Sequence, residues 1–283
     1  MTLKFRRVRC GICNSGSYKK IYEIKSKIPF TVVKCKNCGM VYVNPVVSNL
    51  AKLYEKDYYH GNSDIGFNFT NPLSYGSEIK LIHGERISKI EEMTDIKKGR
   101  LLDVGCTFGL FVQAALNAGW DAHGSDLSKY AVDQARKLGL KNVSVGLGGF
   151  AKNYFDVVTL FEVVEHMDRP LAEMKRINGL LRKGGWVVIQ TGNLGSLTAK
   201  IRGGNNTYLQ LGHVNYFSKK TLGKLLNKSG FKVIKLDTHT EKIEPAKMAL
   251  GTATMKDYWR LFYYSILEKL NISGSMVCYA QKI

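Results

Sequence analysis

From residue 99 onward the chain alternates between two patterns, and this alternation restricts its fold more than any other feature. Runs such as RLLDV, FDVVTLF and WVVIQ are largely apolar, whereas LFVQAALNAG, SKYAVDQARKLG and PLAEMKRINGLL carry apolar residues three and four positions apart. The first pattern suits a strand covered on both faces and the second a helix with one buried side. Strands separated by helices pair in parallel, because returning to the same end of a sheet takes a crossover of helical length. In order the segments are strand GRLLDVG, helix, strand WDAHGSD, helix, short strand NVSVG, strand FDVVTLF, helix and strand GGWVVIQTG. The punctuation agrees: Gly139 ends one helix, Pro170 lies in the first turn of another, and Ser218 opens a helix that Gly230 closes. Strand FKVIKLDT, a helix over about 255–270 and strand GSMVCYAQKI follow. The pattern predicts an α/β chain whose doubly wound sheet carries helices on both faces.

The N-terminal part is different. Cys10 and Cys13, then Cys35 and Cys38, form two C-x2-C knuckles with 21 residues between them. Each knuckle lets two thiolates converge on one ion, and the intervening IYEI and FTVVKC can fold as a ribbon that brings the pairs together. Glycines beside the thiols, Gly11 and Gly39, suit tight turns. Two disulfides are the competing reading, but Cys106 and Cys278 sit in apolar, strand-like contexts and the basic N-terminus MTLKFRRVRC lacks the apolar stretch of an export signal. Zinc is therefore the predicted ligand, with iron the alternative ion, and four thiolates leave no open position, so the site is structural. Cys106 and Cys278 read as small buried hydrophobes.

With 283 residues the chain can build a full core, and it holds no run of 18 apolar residues. We expect no transmembrane segment and a cytoplasmic location. The domain reading is a zinc ribbon over 1–45, a helical and loop linker over 46–95 that helps cover the active site, and an α/β domain over 96–283. Within the linker, 48–57 reads as a short helix leading to Tyr58, Tyr59 and His60, the stretch to about 76 as a loop, and 77–94 as a helix with Ile79, Ile82, Ile87 and Ile90 on one face.

Net charge is +19, and the first sixty residues carry 12 Lys and Arg against Glu23, Glu55 and Asp57. Such an excess implies an anionic partner, either a charged small molecule or nucleic acid gripped through its phosphates.

The first strand of the alternation ends in LLDVGCTFG. A dinucleotide site would want G-x-G-x-x-G, since a pyrophosphate must approach bare backbone. Here Gly105 and Gly109 flank Cys106, Thr107 and Phe108, and Asp103 places a negative charge where a diphosphate would be repelled and an ammonium or sulfonium welcomed. Twenty-three residues further on, Asp126 closes the next strand, where an acid can accept both hydroxyls of a ribose. A ribose with a cationic amino-acid tail describes S-adenosylmethionine.

With these features the chain resembles the class I S-adenosylmethionine-dependent methyltransferases, and specifically a bacterial and archaeal subgroup with an N-terminal zinc ribbon that acts on sugars, glycans and small molecules. The resemblance runs through CGIC…CKNCGMVYVNP, LYEKDYYH, LLDVGCTFG, GSDLS, FDVVTLFEVVEHMDRP, LLRKGGWVVIQTGN and GHVNYFSKKTL, in this order, across nearly all of residues 10–235. It implies a Rossmann-like, mostly parallel seven-stranded sheet behind the ribbon. It also implies that Asp103 and the loop Gly105, Cys106 and Gly109 hold the methionine end of the cofactor, that Asp126 and Leu127 hold ribose and adenine, and that Phe161 and Glu162 line the cavity. The departure is Thr107, which stands where the family has its middle glycine; a Thr with φ in the usual negative range would fill the turn.

Methyl transfer from a sulfonium is an in-line displacement that needs alignment and a base. His213, in the segment that covers the substrate in this family, and His166, beyond strand FDVVTLF, are the candidate catalytic residues. Related sugar C-methyltransferases place a Tyr and a Glu just before the matching His; here Gln210, Leu211 and Gly212 stand there, which favours a hydroxyl acceptor over carbon. The expected acceptor is an anionic sugar, nucleotide-sugar or glycan-lipid molecule. The rivals are an RNA methyltransferase, disfavoured by FEVVEH where base-amino methylating members have Asn-Pro-Pro-Tyr, and a non-catalytic protein that binds S-adenosylmethionine. Tyr58, Tyr59 and Tyr216 are read as packing residues that can close over a ligand. In helix 255–270, Met255, Trp259, Phe262, Ile266 and Leu270 form one stripe, read as core or dimer contact because Asp257 and Glu268 on the polar face would blunt attraction to anionic lipid. The protein is expected as a monomer or homodimer.

Overall fold

The structure, a computed structural model, describes residues 3–49, 76–239, 247–248, 250–270 and 273–283. All but the first two positions of the helix expected over 48–57, with Tyr58, Tyr59, His60 and the following loop, lie outside the described residues.

The N-terminal strands are β1 (Phe5–Arg6), β2 (Tyr18–Ile24), β3 (Phe30–Cys35), β4 (Val41–Val43) and β5 (Val46–Val47). β3 pairs antiparallel with both β2 and β4, and β1 pairs with β5. The turn after β3 carries the second knuckle, and Gly39 takes φ +82 there, a conformation that glycine adopts without strain. Gly11 is small for another reason: a Cβ on it would lie 2.8 Å from the Pro170 ring, so the first knuckle packs directly on the start of a later helix.

Helix α1 (Gly76–Thr94) then leads to the main sheet, built in chain order from β6 (Arg100–Val104), α2 (Leu110–Asn117), β7 (Asp121–Asp126), α3 (Lys129–Lys137), β8 (Val143–Val145), β9 (Phe155–Phe161), α4 (Pro170–Leu180) and β10 (Leu181–Gly192). After β10 come α5 (Leu197–Arg202), β11 (Asn215–Tyr216), α6 (Lys219–Lys228), β12 (Phe231–His239), α7 (Met255–Lys269) and β13 (Ser275–Lys282). The seven strands lie in the order β12-β13-β10-β9-β6-β7-β8. Those from β10 to β8 run parallel, while β13 is antiparallel to both of its neighbours. This is the doubly wound, mostly parallel seven-stranded sheet that the sequence predicts. Capping follows the sequence too: Ser218 accepts from the Thr221 N–H in a capping box at the start of α6.

Alternate residues of the central strands face opposite layers. Leu102, Val158 and Ile189 pack with Met174 and Ile177 of α4 and Leu222 and Leu225 of α6. Leu101, Val157 and Val188 instead pack with Phe111 and Val112 of α2, Val132 of α3 and Ile87 and Ile90 of α1. The ribbon belongs to the first layer, since Cys10, Ile12, Met40 and Tyr42 join that same cluster. It is also completed from the far end of the chain: β11 pairs antiparallel with β4, Asn215↔Tyr42, and Lys224 donates to the Cys38 carbonyl at 2.8 Å. Tyr216, on β11, is 1% exposed and donates its hydroxyl to the Gln210 carbonyl; it packs inside and closes over nothing.

Helix α7 corrects one half of the sequence reading that its stripe is core or dimer contact. Its stripe is not core: Met255 is 73% exposed, Trp259 67%, Phe262 61% and Leu270 61%. Asp257, expected on the solvent side, is instead buried, where it accepts from Lys247 at 3.1 Å and from the backbone N–H of Thr254 at 2.9 Å.

Candidate active site

The cleft opens above the carboxyl ends of β6, β7 and β9. It measures about 850 Å³, and its lining includes Gly105, Thr107, Asp126, Leu127, Phe161 and Glu162. The β6–α2 turn forms its floor. Gly105 has φ +77, and a Cβ there would lie 2.4 Å from Val163 Cγ2; Gly109, with φ +78, would place one 2.2 Å from Leu140 Cδ1. Both positions therefore require glycine on conformational and on steric grounds. The Gly105 and Cys106 N–H groups both donate to the Ser125 carbonyl, at 2.7 and 3.0 Å, which ties the turn to β7.

Thr107 does not adopt the negative φ expected of it. Its φ is +49, the left-handed conformation of the glycine it replaces. The turn keeps its path and the side chain bears a strain of about 1–2 kcal/mol. One compensation is direct: the Thr107 N–H donates to Asp126 Oδ2 at 3.0 Å, while the Ser128 N–H donates to Oδ1 at 2.8 Å. Each carboxylate oxygen of Asp126 thus keeps a lone pair, and the acid lines the cleft from a buried position.

Three of the predicted cofactor residues do not line the cleft. Asp103 is 4% exposed and accepts from Thr159 Oγ1 at 2.7 Å, and burial pushes its carboxyl up to about 7. Gly109 caps α2 behind the turn. The Cys106 thiol faces the core, where a Cβ on Gly124 would lie 2.8 Å from its sulfur, and burial pushes it up. Phe161 serves both packing and cavity: it meets Phe111 edge-on at 4.9 Å, and the Arg86 guanidinium lies 4.4 Å from its ring centroid. Glu162 stands at φ +55, a second strained non-glycine position on the cleft wall.

His166 and His213 are brought together, their ring centroids 4.8 Å apart, and both line the cleft. His213 Nδ1 lies 2.8 Å from the Tyr208 carbonyl and His166 Nδ1 2.8 Å from the Gly212 carbonyl. A carbonyl only accepts, so each Nδ1 carries the hydrogen and each Nε2 the lone pair. Burial, then the neighbouring His166, lowers His213 to about 3, and burial lowers His166 as well. Both imidazoles are neutral near pH 7.

Behind the histidines lie groups whose part the sequence did not reveal. Glu165, fully buried, accepts from the Tyr208 hydroxyl and from Thr191 Oγ1, each at 2.9 Å, and the Gly192 N–H donates to the Tyr208 hydroxyl at 3.0 Å. Burial raises the Glu165 carboxyl above its ordinary range. The sequence shows no acid just before His213, but the fold supplies one from 48 positions upstream. The signal was present in FEVVEH, where Glu165 adjoins His166; that Tyr208 would meet it was not legible.

In the ribbon, Cys10 and Cys38 sulfurs are 3.4 Å apart, Cys13 and Cys35 3.5 Å, and all four lie within 4.8 Å of one another. Four thiolates around one zinc at 2.3 Å would stand about 3.8 Å apart, so the donor set and its spacing fit a tetrahedral ion.

A parallel sheet with an antiparallel seventh strand, a glycine turn after its first strand and an acid closing the second define a Rossmann-like methyltransferase fold. The profile of a family described as a methyltransferase domain matches residues 81–236, more than half of the chain, and the chain belongs to that family. A ubiquinone biosynthesis O-methyltransferase of Bordetella avium is 33% identical over 130 residues, 41% of this chain and 54% of that protein. One from Coxiella burnetii is 28% identical over 139 residues, 46% of this chain and 59% of that protein. The chain thus spans little more than half the length of these relatives. Among solved structures, a SAM-dependent methyltransferase from Archaeoglobus fulgidus superposes with a TM-score of 0.51 at 24% identity, covering 70% of this chain and 94% of that one. The cyclase SpnF has the same fold, with a TM-score of 0.50 at 19% identity over 70% of this chain and 80% of its own. No described helix is long and apolar enough to cross a membrane.

Proposed function

We propose that the protein is an S-adenosylmethionine-dependent methyltransferase that modifies a hydroxyl of a small-molecule acceptor, and that Cys10, Cys13, Cys35 and Cys38 hold a structural zinc ion. The observation that carries the reading is Asp126, fixed by two backbone N–H groups in the wall of a cleft whose floor carries glycine at residue 105. When bound, S-adenosylmethionine would supply an electrophilic methyl group. The two oxygens of Asp126 would accept the ribose hydroxyls, Leu127 would cover the adenine, and the backbone around Gly105 would run beside the amino-acid tail. Asp103 acts at one remove: a cationic tail above the turn would favour its ionised form, which then contributes negative charge from beneath.

On the acceptor side, His213 presents a neutral Nε2 held in one tautomer by the Tyr208 carbonyl, and His166 stands beside it. A neutral imidazole orients a hydroxyl by accepting its hydrogen and takes the proton as the oxygen gains its methyl group. Glu165 and Tyr208 hold the segment that bears His213, through the hydrogen bonds that Glu165 accepts from Tyr208 and Thr191. Because an acid does lie near His213, its absence from the preceding residues no longer argues against carbon. The hydroxyl assignment rests instead on the relatives, which are named O-methyltransferases. For the acceptor we retain the sugar, nucleotide-sugar or glycan-lipid class, with Arg176 in the cleft lining available to a phosphate.

The test is calorimetric titration with S-adenosylmethionine and S-adenosylhomocysteine, followed by transfer of labelled methyl to phosphorylated and dephosphorylated acceptors. Micromolar binding of both, lost in Asp126→Ala, and label on oxygen are expected. Absence of binding in folded, zinc-loaded protein would overturn the cofactor assignment. Label on carbon or on RNA would overturn the acceptor class.

A further inference from the structure

Helix α7 leaves its apolar face uncovered. Over four turns, Met255, Tyr258, Trp259, Phe262, Tyr263, Ile266 and Leu270 are all exposed, at 40–73%. At 3.6 residues per turn they occupy one continuous sector of the helix. Such a face is far more apolar than a water-exposed helix needs, and it marks a surface that something covers.

The charges around that sector show what. Lys256 and Arg260 border it on one side and Lys269 falls within it, between Tyr258 and Phe262 around the helix, all three exposed. Asp257 and Glu268 fall on the opposite side, toward the protein: Asp257 is buried and engaged by Lys247 and Thr254, and Glu268 is half-buried. The acids that would repel a negatively charged surface are thus turned inward, and the bases lie along one edge of the aromatic face and within it. A second copy of this chain, itself at +19, would bring like charge against the same lysines and arginine. An anionic bilayer attracts them, takes Trp and Tyr at the headgroup level and Phe, Ile and Leu just below, and lets Lys and Arg reach back to the phosphates.

We propose that α7 is an interfacial helix that docks the protein on an anionic lipid surface, lying in the membrane plane with Trp259 and Phe262 at its centre. Docking of this kind is independent of the methyl acceptor and is read without an activity assay.

The full chain is floated with vesicles of phosphatidylcholine alone or mixed with phosphatidylglycerol at physiological salt, with brominated acyl chains as the second probe. We expect flotation on the anionic vesicles and quenching of Trp259, since Trp120 is buried and Trp186 half-buried. The double variant Phe262→Ser, Ile266→Ser removes apolar area and no charge, and should weaken binding at least tenfold while leaving the thermal midpoint and the cofactor affinity unchanged. Lys256→Glu with Arg260→Glu should abolish the preference for anionic lipid. No flotation of the parent protein would overturn the proposal. So would equal flotation of parent and serine variant, which would assign binding to net charge alone, or a parent dimer that the serine substitutions dissociate, which would assign the face to a second copy.

Discussion

Replacing Asp103 by Asn isolates the cost of a buried charge. The carboxyl is 4% exposed, accepts one hydrogen bond from Thr159 and is held at about 7 rather than 3.8, chiefly by burial. A carboxylate raised in the folded state keeps its proton where the unfolded chain has lost its own. The associated stability is complete below about pH 4 and disappears as pH rises toward 7. A shift of about three pH units amounts to roughly 4 kcal/mol, most of it lost between pH 5 and pH 8. Asparagine keeps an oxygen for Thr159 and has nothing to ionise. The difference in unfolding free energy between variant and parent, measured by urea titration at each pH, cancels the contributions of other groups. We expect that difference to move in favour of Asp103→Asn by about 3 kcal/mol from pH 5 to pH 8. If it stays constant within about 0.5 kcal/mol, the carboxyl ionises normally and the desolvation argument fails. A cationic ligand tail above the turn should in turn favour the ionised parent, so cofactor affinity should fall in the variant at pH 8.

Gly105→Ala combines left-handed strain with the Val163 contact at 2.4 Å and should cost about 2–5 kcal/mol of stability and at least tenfold in cofactor affinity, read by thermal unfolding and calorimetry. Cys35→Ser should reduce bound zinc from one ion per chain to a small fraction and lower the thermal midpoint; metal analysis showing full occupancy would remove Cys35 from the ligand set. His213→Ala should lower kcat by about 10²–10⁴-fold with cofactor affinity unchanged, as removal of a proton acceptor does, whereas a change confined to KM would make it a binding residue. Tyr208→Phe leaves Glu165 short of one donor and the Gly192 N–H without its acceptor, and should cost about 1–3 kcal/mol of stability while shifting the pH profile of kcat.

The strand and helix order of the main sheet, the cap at Ser218, Pro170 in the first turn of its helix, the two knuckles and the acid–glycine turn were all legible, because each depends on neighbours within a few positions. Periodicity shows that Leu101 and Leu102 are buried, and alternation places them in opposite layers. What the sequence could not fix were facts about distant partners. Whether Thr107 takes a positive φ depends on a hydrogen bond to Asp126, and whether Asp103 reaches the cleft depends on Thr159 on another strand. The stripe of α7 reads the same whether it faces a core or solvent; only the packing shows that Asp257 is turned inward and Trp259 outward. The ribbon likewise reads as a separate unit, yet β11 completes its sheet and Pro170 packs on its first knuckle. The sequence alone determined the seven strands of the main sheet, the cysteine quartet and the acids that close the strands, because local propensity and spacing are carried by the chain itself. The tertiary structure decided which of those groups meet. The contacts that bring Glu165 and Tyr208 behind His213, or that bury a carboxylate, join residues far apart along the chain, and no local pattern encodes them.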